Sequence, residues 1–228
     1  MMRRAAKDVA VAEDGAQRGD QSRTQNGAQS HDGADLDAPE VVVGTDGLPR
    51  CWWCGHDAEY VAYHDREWGR PVHDDQRLFE KLVLEGFQAG LSWLTILRRR
   101  AALRDAFEDF DPPRLAALDD ADVERLLADP RIIRNRAKVQ AAIDNARCYL
   151  RLRESGRSLD DLVWSYAPPA DPPPRRRTDI PATTPESTAL ARELKRRGWR
   201  FVGPTTVYAF MQSMGLVDDH LVGCHRRN

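Results

Sequence analysis

Long apolar runs are missing from this sequence. Nothing in its 228 residues approaches the ~20 uninterrupted apolar residues that a membrane-spanning helix requires. Cysteine is scarce as well, and four cysteines in a chain of this length do not make a disulfide framework. Positive charge has no overall surplus: the net charge is -2, and the first 50 residues hold six Lys/Arg against nine Asp/Glu. The balance neither implies nor excludes nucleic acid, and a local basic surface would be needed. Before Val41-Val42-Val43 there is almost no large apolar residue, only Ala, Gly, Asp, Gln, Arg and Ser in quantity. Such a segment cannot offset its own ordering entropy, so residues 1–46 are expected to be a disordered tail. A folded domain is expected over residues 47–228. Asp8, Glu13 and Asp14 follow Arg3, Arg4 and Lys7 too closely for a secretory signal, so the expected location is the cytoplasm.

What is present is organised around residues 78–97, an apolar-periodic run that reads as one helix within a longer segment from residue 75 to about 100. Leu78, Leu82, Glu85, Ala89 and Trp93 recur at three- and four-residue steps and fall on one face. Phe79, Val83, Phe87, Leu94 and Leu97 make a neighbouring face apolar too. A helix apolar on both faces is buried, yet Glu85 lies in its middle. A buried carboxylate needs a partner or a task. Gly86 and Gly90 would let another backbone or a flat ligand approach.

Residues 51–69 concentrate aromatics and metal-ligand residue types: Cys51, Cys54, His56 and His64 among Trp52, Trp53, Tyr60, Tyr63 and Trp68. Near the other end stands His220-x3-Cys224. Tetrahedral zinc is usually held by two such local pairs. The N-terminal pair can be Cys51-x2-Cys54, which spacing favours, or Cys51 with His64. Either choice ties the first folded residues to the last and makes a structural clasp, because four protein ligands leave no open position. Cys148, alone in a helical run, reads as a core thiol.

The rest of the chain reads as mainly helical, with no internal repeat and no strand pair. Asp119 caps a short helix ended by Pro130, and Ile132-Ile133-Arg134-Asn135-Arg136-Ala137-Lys138 leads into a long one. Two helices joined by a turn bearing Arg and Lys suit contact with a phosphate backbone, or form a solvated structural hairpin. Proline dominates residues 168–181, and two helices follow, near residues 187–197 and 205–214.

Together these stretches resemble the type I 3-methyladenine DNA glycosylase family. The resemblance is carried by Tyr60-Val61-Ala62-Tyr63-His64-Asp65-Arg66-Glu67-Trp68-Gly69 and Leu84-Glu85-Gly86-Phe87-Gln88-Ala89-Gly90-Leu91-Ser92-Trp93. Three further segments add to it: Ile133-Arg134-Asn135-Arg136-Ala137-Lys138, Phe201-Val202-Gly203-Pro204-Thr205-Thr206 and Gly215-Leu216-Val217-Asp218-Asp219-His220. It implies a mainly α, helix-hairpin-helix DNA glycosylase fold, with one structural zinc held by Cys51, His64, His220 and Cys224. The hairpin would place Arg134, Arg136 and Lys138 against the DNA backbone.

The implied activity is hydrolysis of the N-glycosidic bond of 3-methyladenine in double-stranded alkylated DNA, by a monomer, after base flipping. An abasic site is left without strand cleavage. Glu85 matches the base-recognising carboxylate of the catalytic site, Tyr63 and Trp93 match stacking residues, and Trp53 and Tyr60 match the pocket lining. The alternative is a zinc-clasped helical module that binds DNA or protein without chemistry, in which Glu85 and the aromatics are core.

Overall fold

A computed structural model describes residues 40–170 and 172–227. The expected tail therefore lies, for residues 1–39, outside the described residues. Its expected end at residue 46 falls inside a small hairpin. Strand β1 (Val41–Val43) pairs antiparallel with β2 (Pro49–Cys51), Val42 opposite Arg50. No strand pair was expected. At three residues each, these strands are too short for an alternating pattern to show. Arg50 closes the turn between them by pairing with Asp46 at 2.6 Å.

Nine α-helices follow among the described residues. They are α1 (Ala58–Arg66), α2 (Asp75–Gln88), α3 (Trp93–Ala106), α4 (Pro112–Ala116), α5 (Asp120–Ala128), α6 (Arg136–Glu154), α7 (Leu159–Trp164), α8 (Pro185–Arg196) and α9 (Pro204–Ser213). None is long and apolar enough to cross a membrane. Polar N-caps set most of the starts: Asp57, Asp74, Ser92, Asp119, Asn135 and Thr184 each accept a backbone N–H of the first turn.

Helix α2 is the centre of the molecule, packed against α3, α6, α7 and α9. Every residue from Lys81 to Phe87 is buried. Both of its ends are held by charge. At the N-terminus the Asp75 carboxylate accepts the Asp160 N–H at 2.8 Å and the Tyr149 hydroxyl at 3.0 Å, fixing α7 and α6 to α2. At the C-terminus the Lys138 ammonium donates to the carbonyls of Phe87, at 2.9 Å, and Ala89. A cation there offsets the negative end of the helix dipole and satisfies carbonyls that the helix leaves open.

The single helix expected from residue 75 to about 100 is in fact two. Gly90 sits at φ +80, the left-handed region that stops a helix. Ser92 then starts α3 by accepting the Thr95 N–H. Trp93 accordingly reaches the Glu85 neighbourhood from the start of a second helix, not from one turn further along the first. Gly86 does serve close approach: a Cβ there would lie 3.1 Å from the Phe201 Cβ.

Phe201 is itself a non-glycine residue at φ +55. Its conformation is imposed by buried Asn145 of α6, which donates to the Arg200 carbonyl at 3.1 Å and accepts the Arg200 N–H at 2.8 Å. Asn145→Ala would leave both backbone groups without this partner beside a strained residue, at a cost of about 1–3 kcal/mol. Urea unfolding should show this as a lower midpoint with an unchanged slope; a midpoint equal to wild type would mean that the Phe201 loop is held some other way.

Candidate active site and metal centre

A cavity of about 420 Å³ opens between α1, the C-terminal half of α2, the start of α3, and α9. One wall is aromatic. Trp53, just ahead of α1, lies 5.1 Å from Tyr60 and 5.0 Å from Trp68, centroid to centroid, and Tyr63 lies 5.4 Å from Trp93. The opposite wall is Phe201, Gly203, Pro204, Thr205 and Thr206, with Tyr208 and Gln212 of α9. Asp219 orients that side by accepting the Tyr208 hydroxyl at 2.7 Å and the Gln212 amide at 2.8 Å.

Glu85 contributes a carboxylate to this lining and is 4% exposed. Its partner is Lys81, one turn earlier on α2, with Nζ–Oε1 2.9 Å. Burial raises the Glu85 pKa and the Lys81 charge opposes that rise. For Lys81, burial lowers the pKa to about 8 even with Glu85 pulling it back up. The same ammonium donates to the Tyr63 hydroxyl at 2.8 Å and stands 3.2 Å from the Trp93 ring centroid. Three cavity-lining side chains thus converge on one buried cation behind them.

All five residues expected to form the base site, Glu85, Trp53, Tyr60, Tyr63 and Trp93, are brought together on this cavity. The sequence reading missed Lys81, Trp68, Tyr208, Gln212 and the Phe201–Thr206 wall. The spacing Lys81-x3-Glu85 was a usable signal, since residues four apart share a helix face. The Phe201 segment was noticed as a motif, but nothing local says that it faces α2.

The hairpin residues separate. Arg134 and Arg136 are exposed on the turn and start of α6, with Arg136 paired to Glu124 at 2.8 Å. Lys138 points inward, to the end of α2.

Cys51, His64, His220 and Cys224 bring four donor atoms within 4.8 Å of one another, all buried, and this group could hold a metal ion. The sulfur–nitrogen edges are Cys51–His220 3.7 Å, Cys224–His64 3.5 Å and Cys224–His220 3.7 Å. A tetrahedral ion with ordinary thiolate and imidazole bond lengths has such edges at about 3.6 Å. Both imidazoles are set in the required tautomer. The Asp65 carboxylate accepts from His64 Nδ1 at 2.8 Å, and the Trp68 carbonyl accepts from His220 Nε2 at 3.3 Å. The lone pairs of His64 Nε2 and His220 Nδ1 then face the cysteine sulfurs, with the Cys51 N–H also reaching His64 Nε2 at 3.4 Å. Burial pushes Asp65 up, but bonds from Arg50, His64 and His225 outweigh it and hold the carboxyl well below its usual range. Cys54 stands apart, its thiol donating to the Cys51 carbonyl at 3.3 Å, and it is not among the clustered donors.

Centre and cavity share a wall. Trp53 packs on His64 at 5.2 Å, and Trp68 meets His220 edge-on at 4.6 Å. The Cys and His residues that bring the two ends of the domain together therefore also pack against the aromatic side of the cavity.

Comparison with known proteins agrees with this construction. The methyladenine glycosylase family model matches residues 53–227. DNA-3-methyladenine glycosylase 1 of Escherichia coli (strain K12) is 49% identical over 179 residues, 78% of this chain and 96% of that protein. The DNA-3-methyladenine glycosylase of Haemophilus influenzae (strain ATCC 51907 / DSM 11121 / KW20 / Rd) is 47% identical, over 77% of this chain and 96% of that one. A crystal structure of a 3-methyladenine DNA glycosylase I superposes with a TM-score of 0.76 at 50% identity, covering 77% of this chain and 98% of that chain. Another, of a variant in complex with 3-methyladenine, gives 0.75 at 36% identity over 78% and 97%. The family match covers the cavity walls and three of the four clustered residues, His64, His220 and Cys224, and the chain belongs to the methyladenine glycosylase family.

Proposed function

We propose that this chain is a DNA repair enzyme that removes 3-methyladenine from alkylated duplex DNA by hydrolysing its N-glycosidic bond. The observation that carries this reading is one buried, ion-paired carboxylate set among aromatic faces in a cavity roomy enough for a purine. The target base must leave the stack to be reached. While still attached to its sugar, 3-methyladenine is cationic. Each aromatic face attracts that cation by about 0.5–2 kcal/mol, and a carboxylate accepts hydrogen bonds from the adenine edge. Normal adenine lacks the charge and is held less well. The cation is also a good leaving group, so discrimination and bond breaking draw on the same property.

Tyr63 and Trp93 are read as stacking faces, Trp53 and Tyr60 as lining, and Glu85 as the recognition carboxylate. Lys81 sits behind these side chains and is committed to Glu85, which supports hydrolysis to an abasic site over amine chemistry and strand cleavage. The binding-module alternative needs Glu85 and the aromatics to be core alone; Tyr63 and Trp93 are buried, but all five also line the cavity, which supports the enzyme reading. The pocket is complete within one chain, in keeping with a monomer.

Helices α5 and α6 with the turn between them are read as the helix-hairpin-helix element. Arg134 and Arg136 are its phosphate-side residues, and Lys138 supports the pocket helix from behind. The Cys/His group is read as a structural zinc site of two sulfurs and two nitrogens, which would close the domain without entering the reaction.

Glu85→Gln should lower single-turnover release of 3-methyladenine from methylated DNA by up to about 100-fold, and lower it more than it lowers thermal stability. Equal release by the variant would remove Glu85 from recognition. Elemental analysis should find one zinc per chain, kept in Cys54→Ser and lost in His64→Ala. The reverse pattern would move the site to the Cys51–Cys54 pair.

A further inference from the structure

The glycosylase reading assigns no part to Lys81, a buried titratable group in contact with three cavity-lining residues. We propose that Lys81 is a positioning residue for base excision: its ammonium keeps the Glu85 carboxylate an ionised acceptor and locks Tyr63 and Trp93 to it. This rests on the glycosylase reading and extends it.

The geometry leaves the ammonium no other use. Its three contacts are Glu85 Oε1 at 2.9 Å, the Tyr63 hydroxyl at 2.8 Å and the Trp93 ring face at 3.2 Å. Lys81 is 5% exposed, and Tyr63, Glu85 and Trp93 line the cavity in front of it. A nucleophile needs access to the sugar carbon, and this amine is screened from it. A carboxylate shut away from water takes up a proton unless a cation stands beside it. A protonated Glu85 would give up one acceptor site and present a hydroxyl donor to a base that is itself positively charged. Lys81 prevents this from a place where it does not itself meet the cationic base. It spreads its charge over Glu85 and two aromatic groups instead.

The charged surroundings point the same way. Besides Glu85 on its own helix, the groups facing Lys81 are Tyr63 of α1, Glu67 just past the end of α1, and Arg100 of α3. Glu67 and Arg100 are paired with each other, Nη2–Oε1 2.9 Å, so they largely cancel. The balance that matters is Lys81 against Glu85. Burial brings the Lys81 pKa down to about 8, so the ammonium is present at neutral pH and is lost as pH rises through that value.

The test is single-turnover release of 3-methyladenine from methylated duplex DNA, from pH 6 to pH 9.5. It compares the full-length chain with Lys81→Met, Glu85→Gln and the double variant, with circular dichroism on each. The unaltered chain should be fastest near neutrality and slow as pH passes about 8, because the neutral amine no longer holds Tyr63 and Trp93 to the still-ionised Glu85. Lys81→Met should lose up to about 100-fold near neutrality, the scale of a misplaced catalytic group. Its rate should then rise with pH, as Glu85, now without a cation, ionises late. The double variant removes both charges and should fold; it should be no slower than Glu85→Gln alone, since Lys81 acts through Glu85. If Lys81→Met does not fold, the alkaline fall of the unaltered chain and the double variant still decide. A flat profile through pH 9.5, a Lys81→Met profile of unaltered shape, or losses that multiply in the double variant would each overturn the assignment. Absence of release by the unaltered chain at every pH would overturn the glycosylase reading, and this inference with it.

Discussion

The ion pair between Lys81 and Glu85 is the constraint around which the molecule is arranged. Two charges taken out of water cost several kcal/mol each, and mutual attraction returns that only when geometry and further hydrogen bonding are good. The protein meets this condition by placing both on α2, one turn apart. It surrounds the ammonium with a hydroxyl and an indole face, and leaves part of the carboxylate to line a cavity. Replacing a buried ion pair with well-packed apolar residues is often neutral or stabilising, so stability alone does not explain keeping this one. A site read as holding a cationic base does.

Holding that pair in place requires α2 to be rigid along its whole length. Asp75 anchors one end to α6 and α7, and Lys138 closes the other from the start of α6. Asn145, also on α6, fixes the strained loop that presses Phe201 onto Gly86. One long helix thus supports both the carboxylate side and the opposite wall of the cavity. The clustered Cys and His residues do the equivalent for the aromatic side through Trp53 and Trp68. Because α6 also begins at the exposed turn carrying Arg134 and Arg136, the surface read as meeting DNA and the support of the pocket belong to a single element.

Much of this was legible in the sequence, and the gaps have physical causes. Helical class, the Asp119 cap and the buried Glu85 followed from periodicity and residue chemistry. The five aromatic and acidic site residues followed from motif resemblance, and the structure does place them on one cavity. The break at Gly90 was written in the sequence as Gly90-Leu91-Ser92, but apolar spacing on both sides of it disguised two helices as one. Lys138 looked like a surface cation because it sits in a basic turn; only the tertiary position of the end of α2 turns it inward. Spacing favoured Cys54 over His64 as the partner of Cys51, yet a ligand set joined across the whole chain is decided by folding, not by local spacing. Phe201 and Gln212 reach the cavity through long-range packing, which no local pattern encodes.

The central claim is that a carboxylate buried in an apolar, aromatic cavity is kept charged by the lysine behind it. The most direct measurement is the ¹³C resonance of the Glu85 carboxyl in selectively labelled, ligand-free protein at neutral pH, assigned with Glu85→Gln. The account predicts the chemical shift of an ionised carboxylate. A shift characteristic of the protonated acid at neutral pH would contradict it.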